Sequence, residues 1–414
     1  MEFDFVLRDV RLPDAKPDRP STDIGVKDGR IAAIARGLGA AKSECKGGNR
    51  LVCSGFVETH IHLDKACILG RCEHTKKRNP HMAMERVSAV KHTFTVEDVI
   101  ERASATIEKC IGHGATRMRT HCEVDPKVGL RGFEGVWALI DKYKWAIDLE
   151  VCVMPQEGLT NNPGTDELMV EALKNGAKVV GAAPSYDSDS SAQVRRIFEM
   201  AREFDVDIDM HVDSGATADH LDTRLVCDLT EKYKWGGRVA VGHVGKLSTM
   251  KAPELETIAR RMADAGVAAT VLTATDLYLG GRHTDHNVPR NLVDLNRLTE
   301  LGVTCSVASN NILNPFTPFG DGQLLRQVNM QAIATQRGND DEVRVLWDMT
   351  TSSAAKLMRK TDYGIAVGGP ADLVVLDAPD PVMALRTVAP VLAAYKRGRR
   401  TVTRDPVQIH RPQA

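Results

Sequence analysis

No stretch of the 414-residue chain approaches the roughly 20 consecutive apolar residues that cross a bilayer, and mean hydropathy is −0.24. The opening Met1-Glu2-Phe3-Asp4 lacks the basic n-region and apolar core of a signal peptide, so a cytoplasmic location is expected. A surplus of one charge is also missing: 54 basic residues stand against 55 acidic ones, for a net charge of −1. That balance argues against a nucleic-acid partner, which calls for a basic face, and against an acidic membrane surface. The short run Lys76-Lys77-Arg78 reads as a solvated loop. The nine cysteines are odd in number and none forms C-x-x-C, so neither a disulfide framework nor a zinc knuckle is expected. They read instead as small buried hydrophobes in a reducing compartment. The H-x-E with P-C-x-x-C pattern of the small zinc nucleobase deaminases is absent too, which removes that class.

What is present is a large potential core, with 43% hydrophobic and 26% charged residues. The first fifty residues read as short strands, Phe5-Val6-Leu7, Ile24-Gly25-Val26 and Ile31 to Ile34, with Asp28-Gly29 as a hairpin turn between the last two. Ala371 to Leu376 and Val391 to Tyr395 repeat that style near the C-terminus. Between them, strand candidates recur: Leu51 to Glu58, Thr116 to His121, Asp148 to Met154, Ala177 to Gly181, Asp207 to His211, Val239 to His243, Ala268 to Thr273 and Val303 to Ala308. Amphipathic helices such as Asp166 to Asn175 and Ala192 to Phe204 separate them. Eight βα repeats predict an α/β fold, a (β/α)8 TIM barrel, flanked by strand-rich segments at both chain ends. The expected division is 1–54 for the first strand-rich part, 55–361 for the barrel and 362–414 for the second part.

In such a barrel, functional groups gather at the C-terminal strand ends. Strand one ends in His60-Ile61-His62, whose imidazoles share one face because side chains alternate along a strand. Strands five and six end in His211 and His243. Converging imidazoles can share a metal ion at about 2.1 Å, and His243 is also read as a group that supports the metal site. Asp213, Glu123 and Asp64 are carboxylates at or near the same mouth. Tyr186, Asp276 and Arg282 are further candidates for the pocket lining, and Lys246 could meet an anionic group; His283 and His286 sit in a polar loop and are not expected to be ligands.

The segment Gly55-Phe56-Val57-Glu58-Thr59-His60-Ile61-His62-Leu63-Asp64 resembles the metal-binding opening of the amidohydrolase superfamily. The similarity is greatest to the cytosine deaminase-like branch, including relatives that act on triazines such as N-isopropylammelide. It runs along nearly the whole chain, through Arg119-Thr120-His121, Pro155-Gln156-Glu157-Gly158, Ile208-Asp209-Met210-His211, Gly242-His243 and Asn314 to Gly320. The resemblance implies a small β-sandwich built from both chain ends, 1–54 with 362–414, and one divalent metal ion, zinc or iron, on His60, His62 and His211. It also implies that His243 contacts the metal-bound water or substrate and that Gln156 bonds a ring amide. The implied activity is hydrolysis of a C–N bond in a small nitrogen heterocycle, by a deaminase or amidohydrolase using metal-activated water. The implied partner is that small substrate, and a homo-oligomer is left open.

Two positions depart from the family pattern. The strand-eight aspartate, a ligand and general base in the family, corresponds to Asn310, followed by Asn311. The proton-shuttling glutamate after the strand-five histidine corresponds to Ser214. A neutral amide cannot accept a proton from water as a carboxylate does. The base role therefore moves to His243 first, then to Asp213 or Glu123. Ser214 argues against cytosine itself as substrate. Asn311, Tyr186 and Ser214 join Gln156 as expected substrate contacts. The alternative reading is a catalytically diverged binding homologue that keeps the pocket.

Overall fold

The computed structural model describes residues 2–15, 20–74, 81–405 and 407–410; the run Lys76-Lys77-Arg78 lies outside them. Two sheets organise the chain. The first joins both chain ends: β1 (Phe3–Arg11), β2 (Thr22–Lys27), β3 (Arg30–Ala35) and β4 (Ala41–Ser54) meet β13 (Leu373–Leu376), β14 (Val391–Lys396) and β15 (Arg399–Thr403) in the order β15-β14-β13-β4-β1-β2-β3. This is one continuous mixed sheet, with β1 parallel to β4 and the other pairs antiparallel. It curls strongly. Phe5 on β1 and Tyr395 on β14 are three strands apart, about 14 Å in a flat sheet, yet their rings stack at 4.8 Å. They belong to an apolar core of the sheet's own, with Leu7, Ile24, Ile31 and Leu373.

The second sheet holds eight parallel strands: β5 (Phe56–Ile61), β6 (Ala115–Glu123), β7 (Asp148–Met154), β8 (Val179–Val180), β9 (Asp207–Val212), β10 (Val239–His243), β11 (Val267–Val271) and β12 (Cys305–Val307). Beyond β12 the chain meets β5 again: Asn310 N donates to His60 O and His62 N to Asn310 O, both at 2.8 Å. These bonds bring the eighth strand back to the first and tie the candidate metal ligands to Asn310 through the backbone. The buried Glu58 carboxylate reinforces the seam, accepting from His60 N at 3.1 Å and from Ser309 N at 3.1 and 3.2 Å. Burial pushes its carboxyl up to about 7.

Leu51 to Glu58 is not one strand. It breaks at Gly55, so that Leu51 to Ser54 belong to the end sheet and Phe56 onward to the barrel. A Cβ at Gly55 would lie 2.1 Å from Thr116, so only glycine fits the crossing. The strand β4 is longer than its apolar part, because Ala41 to Arg50 is polar and pairs along β1. All nine cysteines are unpaired. Among the described residues, no helix is long and apolar enough to cross a membrane.

Candidate active site

His60 and His62, two residues apart at the end of β5, point the same way and meet His211 from the end of β9. His211 Nε2 lies 2.9 Å from His60 Nε2 and 3.0 Å from His62 Nε2. Nitrogens about 2.1 Å from one ion stand roughly 3.0 Å apart at a right angle and roughly 3.4 Å apart at the tetrahedral angle. The observed spacing is at the short end of that range. Burial depresses all three imidazoles, His60 to about 3 and His62 and His211 well below the usual histidine value. Neutral rings leave lone pairs free for a cation. The residues therefore fit a divalent metal site.

A buried layer beneath orients this cluster. His121 stacks on His60 with ring centroids 3.7 Å apart. Asp209 Oδ1 lies 3.5 Å from both His60 Nδ1 and His121 Nε2. Its other oxygen accepts from Arg119 Nη1 at 2.9 Å, and Arg119 Nε donates to Glu150 at 2.8 Å. A carboxylate behind a ligand imidazole fixes its tautomer and direction. Gly242 leaves room for this arrangement, since a Cβ there would stand 3.3 Å from the His60 ring. His60, His121 and Asp209 form a second group of potential ligand atoms. The guanidinium already on Asp209 disfavours another cation there.

His62 and His211 open onto a cavity of about 280 Å³ lined also by Gln156, Tyr186, Ser214, His243, Asn310 and Asn311. His243 ends β10 with φ 73° and Asn310 follows β12 with φ 59°. Both sit in the left-handed region, which asparagine tolerates and histidine adopts at some cost. His243 Nδ1 lies 2.5 Å from Asp276 Oδ1, and Leu272 N donates to the other Asp276 oxygen at 3.1 Å. With its Nδ1–H on that carboxylate, His243 keeps Nε2 as an acceptor. The His243 and His211 ring centroids are 5.3 Å apart. Asn310 is fully buried, and neither atom of its side-chain amide has a partner. Two orphaned buried polar atoms are costly, and an ion or polar ligand in the cavity would engage them.

The remaining candidates divide. Tyr186 packs edge-on to His81 at 5.6 Å, and burial raises its hydroxyl to about 12. Arg282 and His283 also line the cavity, with Arg282 over the Tyr278 ring at 4.6 Å. His286 pairs with Asp285 at 2.6 Å in an exposed position. Lys246 donates to His220 O at 2.9 Å. Asp64 accepts from Glu123 N at 2.8 Å. Glu123 is held between Lys65 at 2.5 Å and Lys91 at 3.2 Å. Burial opposes its charge, but the two ammonium groups win and hold its carboxyl at about 2.

Asp213 is turned away from the histidines. Its carboxylate accepts from Asp222 N at 2.9 Å, Thr223 N at 3.0 Å and Thr223 Oγ1 at 2.5 Å, at the start of the helix Asp222–Tyr233. Asp213→Ala should therefore cost about 1–2 kcal/mol of stability, as loss of a helix cap does, with metal content unchanged. Chemical denaturation and metal analysis check this. Lost turnover at unchanged stability would instead return Asp213 to the base role.

Sequence reasoning weighed Asp276 only as a lining residue and gave no role to Lys65. The pairing of Asp276 with His243 depends on a contact between neighbouring strand ends, which no local pattern reveals.

This buried histidine cluster, at the mouth of an eight-stranded parallel barrel, has the donor set to hold a divalent ion. The chain belongs to the amidohydrolase family, whose model matches residues 75–402. It is 25% identical over 421 aligned positions to an N-isopropylammelide isopropyl amidohydrolase of Pseudomonas sp. (strain ADP), covering 99% of both chains. It is 27% identical to a pterin deaminase of Rhizobium rhizogenes (strain K84 / ATCC BAA-868), covering 86% of this chain and 82% of the relative. Among solved structures, a 5-methylcytosine deaminase from Klebsiella pneumoniae liganded with 5-fluorocytosine superposes with a TM-score of 0.93 at 25% identity, covering 98% and 99% of the two chains.

Proposed function

We propose that the chain hydrolyses a C–N bond of a small nitrogen heterocycle, as a deaminase or amidohydrolase, using one divalent ion, zinc or iron. His60, His62 and His211 would hold the ion, with the side-chain amide oxygen of Asn310 as a fourth, neutral ligand. The observation that carries this reading is the meeting of three neutral imidazoles at 2.9 and 3.0 Å, two of which, His62 and His211, line the cavity. Relatives named for an ammelide and a pterin substrate support the heterocycle class. A divalent ion in this position supplies Lewis acidity and makes water nucleophilic at neutral pH.

The chain's own groups do the rest. Asp276 fixes the His243 tautomer, so Nε2 takes a proton from the attacking water and returns it to the departing nitrogen. A ring C–NHR and water become a ring C=O and RNH2, with no redox change. Gln156, Asn311, Tyr186 and Ser214 hold the ring. We read residues 55–361 as the catalytic unit, and 1–54 with 362–414 as its supporting unit.

Metal-loaded protein should release ammonia or amine from at least one amino-substituted pyrimidine, triazine, pterin or creatinine-like ring, or open a hydantoin ring. Cytosine should be a poor substrate, because Ser214 cannot supply the proton of a carboxylic acid. Cytosine as the best substrate would overturn the reading of Ser214. Stoichiometric metal with no release from any ring would favour the binding homologue. Asn310→Asp should tighten metal binding by adding a negative ligand, which a competition assay with a chelator measures.

A further inference from the structure

Two side-chain amides on the cavity wall are held so that each shows the same end to a ligand. Gln156 is the first. Its Oε1 lies 3.1 Å from Lys65 Nζ. An ammonium group only donates, so the amide must offer its oxygen to Lys65 and keep its NH2 group for the cavity. Lys65 itself is 1% exposed. Its Nζ is pinned by Glu123 Oε1 at 2.5 Å and by the Phe316 ring at 4.5 Å.

Asn311 is the second, and the same logic reaches it through Asn314. The Asn314 Oδ1 accepts from Phe316 N at 2.9 Å and Thr317 N at 3.2 Å. Those are backbone donors, so this end of Asn314 must be oxygen. Its Nδ2 therefore donates to Lys65 O at 3.2 Å and to Asn311 Oδ1 at 2.6 Å. That leaves Asn311 Nδ2 for the cavity. Asn314 is fully buried, and Gln156 and Asn311 are each 4% exposed. Among the described lining residues, the only carboxylate is Asp276, and both its oxygens are occupied by His243 and Leu272. No carboxylate oxygen on this wall is thus free to accept from a ligand, and the two amides facing it are fixed as donors.

We propose that the pocket selects rings bearing two carbonyl oxygens, read by Gln156 Nε2 and Asn311 Nδ2, with Lys65 and Asn314 as the positioning residues. This rests on the heterocycle-hydrolase reading above and narrows its substrate class to oxo-rich rings. Amino groups at the same two places would set donor against donor, leaving both buried amides unpaired.

Calorimetry on metal-loaded protein with rings of one skeleton, bearing either oxo or amino groups, tests it. The probes are uracil against 2,4-diaminopyrimidine, and cyanuric acid against melamine. The native protein should prefer the oxo member by about 100-fold. Lys65→Met frees Gln156 to rotate and should reduce the preference below about tenfold at unchanged metal content. Asn314→Asp should turn Asn311 over, so that its oxygen faces the cavity and the diamino rings gain affinity. Gln156→Glu keeps the shape and the Lys65 contact, and should shift the preference the same way even if Lys65→Met fails to fold. Equal or reversed preference in the native protein would overturn the proposal, as would an unchanged preference in the variants. Binding of neither series would overturn the heterocycle reading, and this inference with it.

Discussion

His60→Ala combined with His62→Ala should strip the bound ion, taking metal content from about one equivalent to below about a tenth, and hydrolysis should fall by about 10⁴-fold or more. The two residues supply two of the three nitrogens that meet at the head of the cavity, and both are buried. Their neutrality is built in by burial, which holds His60 at about 3 and His62 well below the ordinary histidine value. His211 alone would be a single-point ligand of ordinary weak affinity. A milder change should act in the same direction through the layer beneath. Asp209→Asn removes the carboxylate behind His60 and should weaken metal binding by about 10–100-fold. Metal analysis after dialysis against a chelator separates these cases, and an unchanged content in the double variant would refute the ligand assignment.

The second large effect is expected at His243. His243→Ala should lower turnover per bound metal by about 10²–10⁴-fold, the usual contribution of a general acid–base group, while leaving the fold and most of the metal in place. Asp276→Asn should also lower turnover per metal, since it removes the charge behind the ring and leaves one amide oxygen where both His243 Nδ1–H and Leu272 N now donate. The structure leaves few rivals for the proton. Asp213 is committed to the helix start at Asp222, and Glu123 to Lys65 and Lys91. Near-normal turnover in His243→Ala, measured on the best ring substrate, would remove it as the base.

Much of the fold is legible in the sequence, for physical reasons. Barrel strands are buried on both faces, so β7 and β10 appear in sequence as bounded runs with the same limits in the structure, Asp148–Met154 and Val239–His243. Strand eight, expected over Val303 to Ala308, is only Cys305–Val307, because the chain leaves the ladder before the single bridge at Asn310. Ala41 to Arg50 escaped because most of its residues are exposed and its pairing partner, β1, is a strand from earlier in the chain that no local pattern ties to it. In the site, H-x-H spacing fixes a common face locally, whereas Lys65 and Gln156 meet only through tertiary packing. Lys65 looks like any other lysine in the sequence, and its role depends on being 1% exposed.

Anomalous scattering from crystals grown with the bound metal locates the ion directly. One peak should lie within about 2.3 Å of the Nε2 atoms of His60, His62 and His211, with the side-chain amide oxygen of Asn310 turned toward it. A peak instead between His60 Nδ1, His121 and Asp209, or no peak at all in protein that hydrolyses its substrate, would contradict the site.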